Sequence, residues 1–200
     1  MSVLPKAGLG FAGLAGASGL GYLGVKQFSS KPKETFKSKY ALAVKGFLND
    51  DKVLGKKVDA LNQSSASPKH TDLLEAQKQK KASNDAGAKE ALKRGCSDIY
   101  DKAIESDFLE DFKNYCSFNN EDKIETGKTL VADKNDFTNH LNSFKGKKVE
   151  ELQAGFKSIK KPSEDGADET WKEAMLGECK RLSKEIFEGE IPNFKEFCAK

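Results

Sequence analysis

Arginine is nearly missing from this chain: of 34 basic residues only Arg94 and Arg181 are arginine, and lysine supplies the rest. Nucleic-acid binders gather Arg and Lys on one face with aromatics between them. Here 31 acidic residues are interspersed among the lysines and the net charge is only +3. The pattern is that of a solvated Lys/Glu helix surface, with no nucleic-acid partner. Histidine is just as scarce. His70 and His140 stand alone and no two cysteines fall in a CxxC pair, so the spacing of common zinc sites is absent. No Ser/His/Asp set or Cys/His pair is visible, and nothing singles out two carboxylates for acid–base work. The expectation is a non-enzyme without metal or cofactor.

Two look-alikes fail for want of one residue type. Gly127-Lys128-Thr129 resembles the end of a phosphate-binding loop, but Asp122 stands where that loop needs glycine and no apolar strand precedes it. Asp133-Lys134-Asn135 begins like a calcium loop, yet Phe137 takes a ligand position and Thr138 the required glycine position.

Long apolar runs are missing except at the start. Residues 7–25 are nineteen uncharged residues before Lys26, about 28 Å as a helix and close to a hydrocarbon core. Glycine at 8, 10, 13, 16, 19, 21 and 24 weakens it, and Ala15-Gly16-Ala17 fits a signal-peptidase site. A retained single-span anchor is the leading expectation, with the membrane as partner through residues 7–25. A cleaved signal, or neither, stays open. Orientation is contested. The lysines after the span, from Lys26 to Lys45, favour a cytoplasmic body. Cysteines in repeated pairs favour an oxidising exterior, and that reading is preferred.

What the chain does have is a cysteine-bracketed cassette, twice. Ala88-Lys89-Glu90-Ala91-Leu92 matches Trp171-Lys172-Glu173-Ala174-Met175, and four residues later come Cys96 and Cys179. Ile99, Ala103 and Ile104 face Leu182, Ile186 and Phe187, and the copies end alike, Phe112 to Cys116 against Phe194 to Cys198. Upstream, Gly55-Lys56-Lys57-Val58 recurs as Gly146-Lys147-Lys148-Val149. A period this long implies a duplicated helical unit, not a solenoid of short repeats.

Apolar residues recur at helical spacing through Phe36, Tyr40, Val44, Phe47 and Leu48, then Val53, Leu54, Val58 and Leu61. Residues 72–81 read as an exposed helix. Ser83 or Asn84 caps the next, whose face is Ala88, Leu92, Cys96, Ile99 and Ala103, ending at Ser106-Asp107. Cys96 then lies about ten residues before the turn and Cys116 about nine after it, roughly 14 Å each way. The second copy repeats this around Gly189, with Pro192 suited to a first helical turn. The preferred pairing is Cys96–Cys116 and Cys179–Cys198; four buried reduced thiols remain the alternative. In the second unit Phe137, Leu141, Phe144, Val149, Leu152, Phe156 and Ile159 again keep helical spacing, and Trp171 and the phenylalanines read as core.

The fold expectation is mainly α: an N-terminal hydrophobic helix plus two duplicated helical units, each ending in a disulfide-pinned helical hairpin. The boundaries are 1–28 anchor or signal, 29–35 hinge, 36–118 first unit, 119–132 linker and 133–200 second unit.

With its Gly8-Leu9-Gly10-Phe11-Ala12-Gly13-Leu14-Ala15-Gly16 start, Lys-rich helical body and late cysteine pair Cys179 and Cys198, the whole chain resembles paralogous proteins encoded in large numbers by haemotropic mycoplasmas. The resemblance implies a wall-less bacterium with a single membrane, and surface antigens that vary between copies. It carries over no functional residue. The N-terminal segment lacks a lipobox cysteine, a departure that favours a spanning helix over a lipid anchor. The functional expectation is therefore a membrane-anchored surface interaction or antigen protein with an extracellular body, its protein partner host-derived. The alternatives are a cytoplasm-facing tethered adaptor with reduced thiols, or a ligand-binding protein using a groove between the units.

Overall fold

The structure, a computed structural model, describes residues 33–161 and 169–200. The expected anchor at 7–25, most of the hinge and residues 162–168 lie outside the described residues. The described chain is mainly helical, and its β pairing is confined to three isolated bridges.

Thr35 starts the first helix, α1 (Phe36–Lys39), with a reciprocal cap: its hydroxyl accepts from the Ser38 N–H at 3.2 Å, and its own N–H donates to the Ser38 hydroxyl at 2.9 Å. The expected continuous helix through Leu48 is broken. Tyr40 leaves helical geometry before α2 (Ala41–Val44), and Gly46 at φ 81° turns the chain into a 3-10 turn at Phe47–Asn49. Asp50 then caps α3 (Asp51–Leu61) by accepting from the Val53 N–H at 3.0 Å. Val53, Leu54, Val58 and Leu61 are buried as their spacing predicts.

Helix α4 (Thr71–Lys81) is not the exposed helix expected, because it lies along α5 (Asp85–Tyr100) and buries Leu73 and Ala76. Gly95 permits that approach. A Cβ there would stand 3.1 Å from both Asp72 Cβ and Leu73 Cδ2. Asn84 caps α5 by accepting from the Gly87 N–H at 3.0 Å. Asn84→Ala is expected to lower the unfolding free energy by about 1 kcal/mol, read from the urea midpoint.

Ala88, Leu92, Cys96 and Ile99 form the buried face of α5, but the helix stops at Tyr100, short of Ala103 and Ser106. A competing pairing ends it. The Phe36 N–H donates to Lys102 O at 3.1 Å and the Ile104 N–H to Glu34 O at 3.0 Å, so Ala103 bridges Thr35. The return helix α6 (Leu109–Tyr115) follows, with Phe108 at its N-cap.

The stretch 119–132 is packed as well as turn-rich: Asn119, Asn120 and Val131 are buried. A 3-10 turn at Asn120–Lys123 follows Asn119, whose N–H donates to Asp122 Oδ2 at 3.0 Å. Further on, a 3-10 turn (Lys134–His140), α7 (Leu141–Gly146) and 3-10 turns at Val149–Glu151 and Ala154–Ser158 replace the regular helices expected. Phe137, Phe144, Leu152 and Phe156 are nonetheless buried, whereas Val149 is exposed. Helix α8 (Glu169–Ser183) buries Trp171, Met175, Cys179 and Leu182 but ends at Ser183, before Ile186 and Gly189. The cause matches that in α5: the Asn120 N–H donates to Glu185 O at 3.1 Å and the Phe187 N–H to Phe118 O at 2.9 Å, bridging Ile186 to Asn119. Helix α9 (Pro192–Cys198) has proline in its first turn, as expected.

Apolar side chains gather into two cores. One holds Phe36, Leu54, Leu92, Cys96, Phe112 and Cys116 among others, and the second Phe137, Phe144, Trp171, Cys179, Phe197 and Cys198. The Gly-Lys-Lys-Val match does not fall on like structure: Gly55 to Val58 lie inside α3, whereas Gly146 closes α7 and Lys147 leaves it.

Candidate functional site

The sulfurs of Cys96 and Cys116 stand at disulfide distance, as do those of Cys179 and Cys198, with Cα–Cα separations of 5.0 and 5.4 Å. All four cysteines are fully buried. The pairing is the one expected, but the geometry differs from two equal helical arms. Cys96 lies one turn before the end of α5 and Cys116 is the C-cap of the short α6. Tyr100 closes the first pair, donating its hydroxyl to Cys116 O at 2.9 Å. Burial pushes that hydroxyl's pKa up.

A polar knot ties the two cores together. Lys57, on the inner face of α3, gives its ammonium to Asn119 Oδ1 and pairs with Asp122 at 3.2 Å. The Asp122 side chain is 1% exposed and Lys56 reaches it at 3.4 Å. Asn119 Nδ2 donates to Lys113 O at 3.1 Å and to Lys184 O at 3.0 Å. One side chain thus holds the end of α6, the exit from α8 and, through Lys57, α3. Burial holds the Lys57 ammonium below the usual lysine range, with Asp122 opposing. Neither Lys57 nor Asn119 stands out in sequence. Lys57 is one lysine among 32 (34 basic residues less two arginines) and Asn119 begins a polar stretch.

Two more buried polar groups anchor loops. Asp111 accepts from the His70 N–H at 2.8 Å and from the Lys69 N–H at 2.9 Å. Asn193 accepts from the Gln153 N–H at 2.6 Å. Each precedes the phenylalanine, Phe112 or Phe194, that opens the matched cassette ending, which is the signal that would have found them.

The histidines serve packing. His70 Nε2 lies 2.8 Å from Asp98, and its Nδ1 accepts from the Asp72 N–H at 3.2 Å to cap α4. His140 sits edge-on to Phe197 at 5.8 Å, and burial lowers its pKa from 6.5 despite Glu196 and Asp136. The unfolded chain therefore takes up this proton at higher pH than the folded one. Stability falls as pH drops from about 6.5 towards the folded value, and the penalty is complete below it. Urea midpoints measured between about pH 7.5 and about pH 5 should show the decline, and His140→Gln should lose it.

A cavity of about 130 Å³ opens between the Asn120–Lys123 turn and the start of α9, lined by Asn120, Lys123, Ile124, Phe187, Ile191 and Phe194 among others. Among the described residues no three His, Cys, Asp or Glu side chains gather to hold a metal, and no helix is long and apolar enough to cross a membrane. Comparison of the chain with family models, curated proteins and solved structures returned no match.

Proposed function

We propose that this chain is a non-enzymatic interaction protein of the cell surface, its body a tandem duplication pinned by one disulfide per unit and tethered through residues 7–25. The observation that carries the reading is the pairing of all four cysteines within their own cassettes. Buried disulfides persist in oxidising compartments, and small cores gain most from them.

The duplication draws support from matched bonds. Thr35 and Asn119 each donate their N–H to the side chain three residues on, Ser38 and Asp122, and each is bridged by the exit from a long helix, at Ala103 and Ile186. Asp111 and Asn193 each accept from the backbone ahead of the next element. In this register Phe36, Tyr40 and Phe112 stand opposite Asn120, Ile124 and Phe194. The second unit then begins near Phe118.

The test of location uses lysines, because the sulfurs are buried. Intact cells are treated with a membrane-impermeant amine-reactive biotin. Labelling of exposed lysines such as Lys37, Lys52, Lys81 and Lys180 without permeabilisation is the expected result. Labelling that needs permeabilised cells would place the body in the cytoplasm and overturn the surface reading.

A further inference from the structure

The first unit fills a space that the second leaves open. In the first, the Phe36 ring stacks on Phe112 with centroids 4.7 Å apart, and Tyr40 leans on the same ring at 5.3 Å. Phe108 packs against the same core. At the places matching Phe36 and Tyr40 the second unit carries Asn120 and Ile124, and Ile191 lines the same cavity as Phe194. Asn120 turns its amide away to Leu182 O at 2.8 Å. No aromatic ring among the described residues stacks on Phe194 as Phe36 stacks on Phe112.

What is left is the cavity of about 130 Å³. An apolar cavity of about 150 Å³ binds benzene, so one six-membered ring is the right size of occupant. The mouth carries charge. Lys128 and Lys195 share Glu125 at 3.0 and 2.6 Å. The Lys123 ammonium rests 3.2 Å from the centroid of the Phe118 ring, with no carboxylate of the described residues within 4.0 Å.

We propose that this cavity binds a single aromatic ring bearing one negative charge, the ring lying on Phe194 as Phe36 lies on Phe112 and the charge reaching Lys123. The site rests on the duplication read above, and not on where the body is located. A free aromatic acid and an acidic-aromatic segment of a partner protein share this chemistry.

The test is amide chemical-shift titration of the folded, oxidised protein with benzoate and, separately, with acetyl-Glu-Phe-amide. The expected result is a saturable shift confined to the Asn120–Lys128 and Phe187–Lys195 stretches with at least one probe. The probe that binds tighter identifies the source. Ile124→Tyr and Asn120→Phe, which restore the first unit's side chains, should each weaken binding at least tenfold and raise the urea midpoint. No saturable shift with either probe overturns the site, as does unchanged affinity in whichever variant folds. Lost binding with a lowered midpoint in both variants would uphold the site and overturn the register between the units.

Discussion

Replacing Cys96 and Cys116 together by alanine is expected to lower the unfolding free energy by about 3 kcal/mol, and replacing all four cysteines to leave the protein unfolded at 37 °C. Each pair closes a loop, with sequence separations of 20 and 19 residues, and closing a loop of that length contributes on the order of 3 kcal/mol. Total stability for a domain is about 5–15 kcal/mol, so two such losses remove a large share of it. The cost does not stop at chain entropy. Each sulfur is buried in a core with aromatic neighbours, and the vacated space adds a cavity term. Urea unfolding of the two double variants separates the contributions. Equal losses are expected from the two pairs, since their loops are nearly equal. A loss below about 1 kcal/mol for either would mean that its unit does not depend on the bridge.

Lys57→Met is the second large effect, expected to cost about 3–5 kcal/mol, the range for removing one partner of a buried ion pair. Asp122 would stay behind with a side chain only 1% exposed, answered by the half-exposed Lys56 and the Asn119 N–H alone. Asn119 would lose its donor as well. The attraction between Lys57 and Asp122 is not the source of this figure; it is the stranded carboxylate. Lys57→Met combined with Asp122→Leu should therefore recover part of the loss, because the buried carboxylate is gone, while Asn119 still lacks the partners of its Oδ1 and its N–H. Calorimetry adds a second readout. If the knot couples the two cores, the wild type unfolds in one transition and Lys57→Met in two. A single change costing under about 1 kcal/mol would show that the cores are held together elsewhere.

The sequence betrayed the helices wherever one stripe of side chains meets one core. Val53, Leu54, Val58 and Leu61 on α3, and Ala88, Leu92, Cys96 and Ile99 on α5, are buried as their period requires. The Asn84 cap and Pro192 in a first turn followed from local chemistry that needs no partner. Helix ends were a different matter. Periodicity carries α5 through Ala103 and α8 through Ile186, yet both stop early because the backbone pairs with segments 67 or 68 residues away, Glu34–Phe36 and Phe118–Asn120. No pattern within a helix reports so distant a bond. The irregular run at 134–158 misled for a related reason: its phenylalanines keep helical spacing, but Phe137 and Phe156 reach the core from 3-10 turns and Phe144 from the short α7.

The candidate site was half visible. The cysteine pairing followed from the repeat, but the Lys57–Asn119–Asp122 knot was hidden because lysine, asparagine and aspartate are common surface residues throughout this chain. Only burial distinguishes these three. The Gly-Lys-Lys-Val match misled in the opposite direction, a local likeness of sequence falling on α3 in one case and past the end of α7 in the other.

The central claim is one closed disulfide in each cassette, and disulfide mapping tests it directly. Protein taken from its native cells under thiol-trapping, denaturing conditions is digested without reduction. Trypsin cuts between the partners at Lys102 and Lys113 in the first cassette, and at Lys184 and Lys195 in the second, so each bridge joins two separable peptides. The account predicts Cys96 linked to Cys116 and Cys179 linked to Cys198, with no trapped thiol. Four trapped thiols, or links between the cassettes, would contradict it.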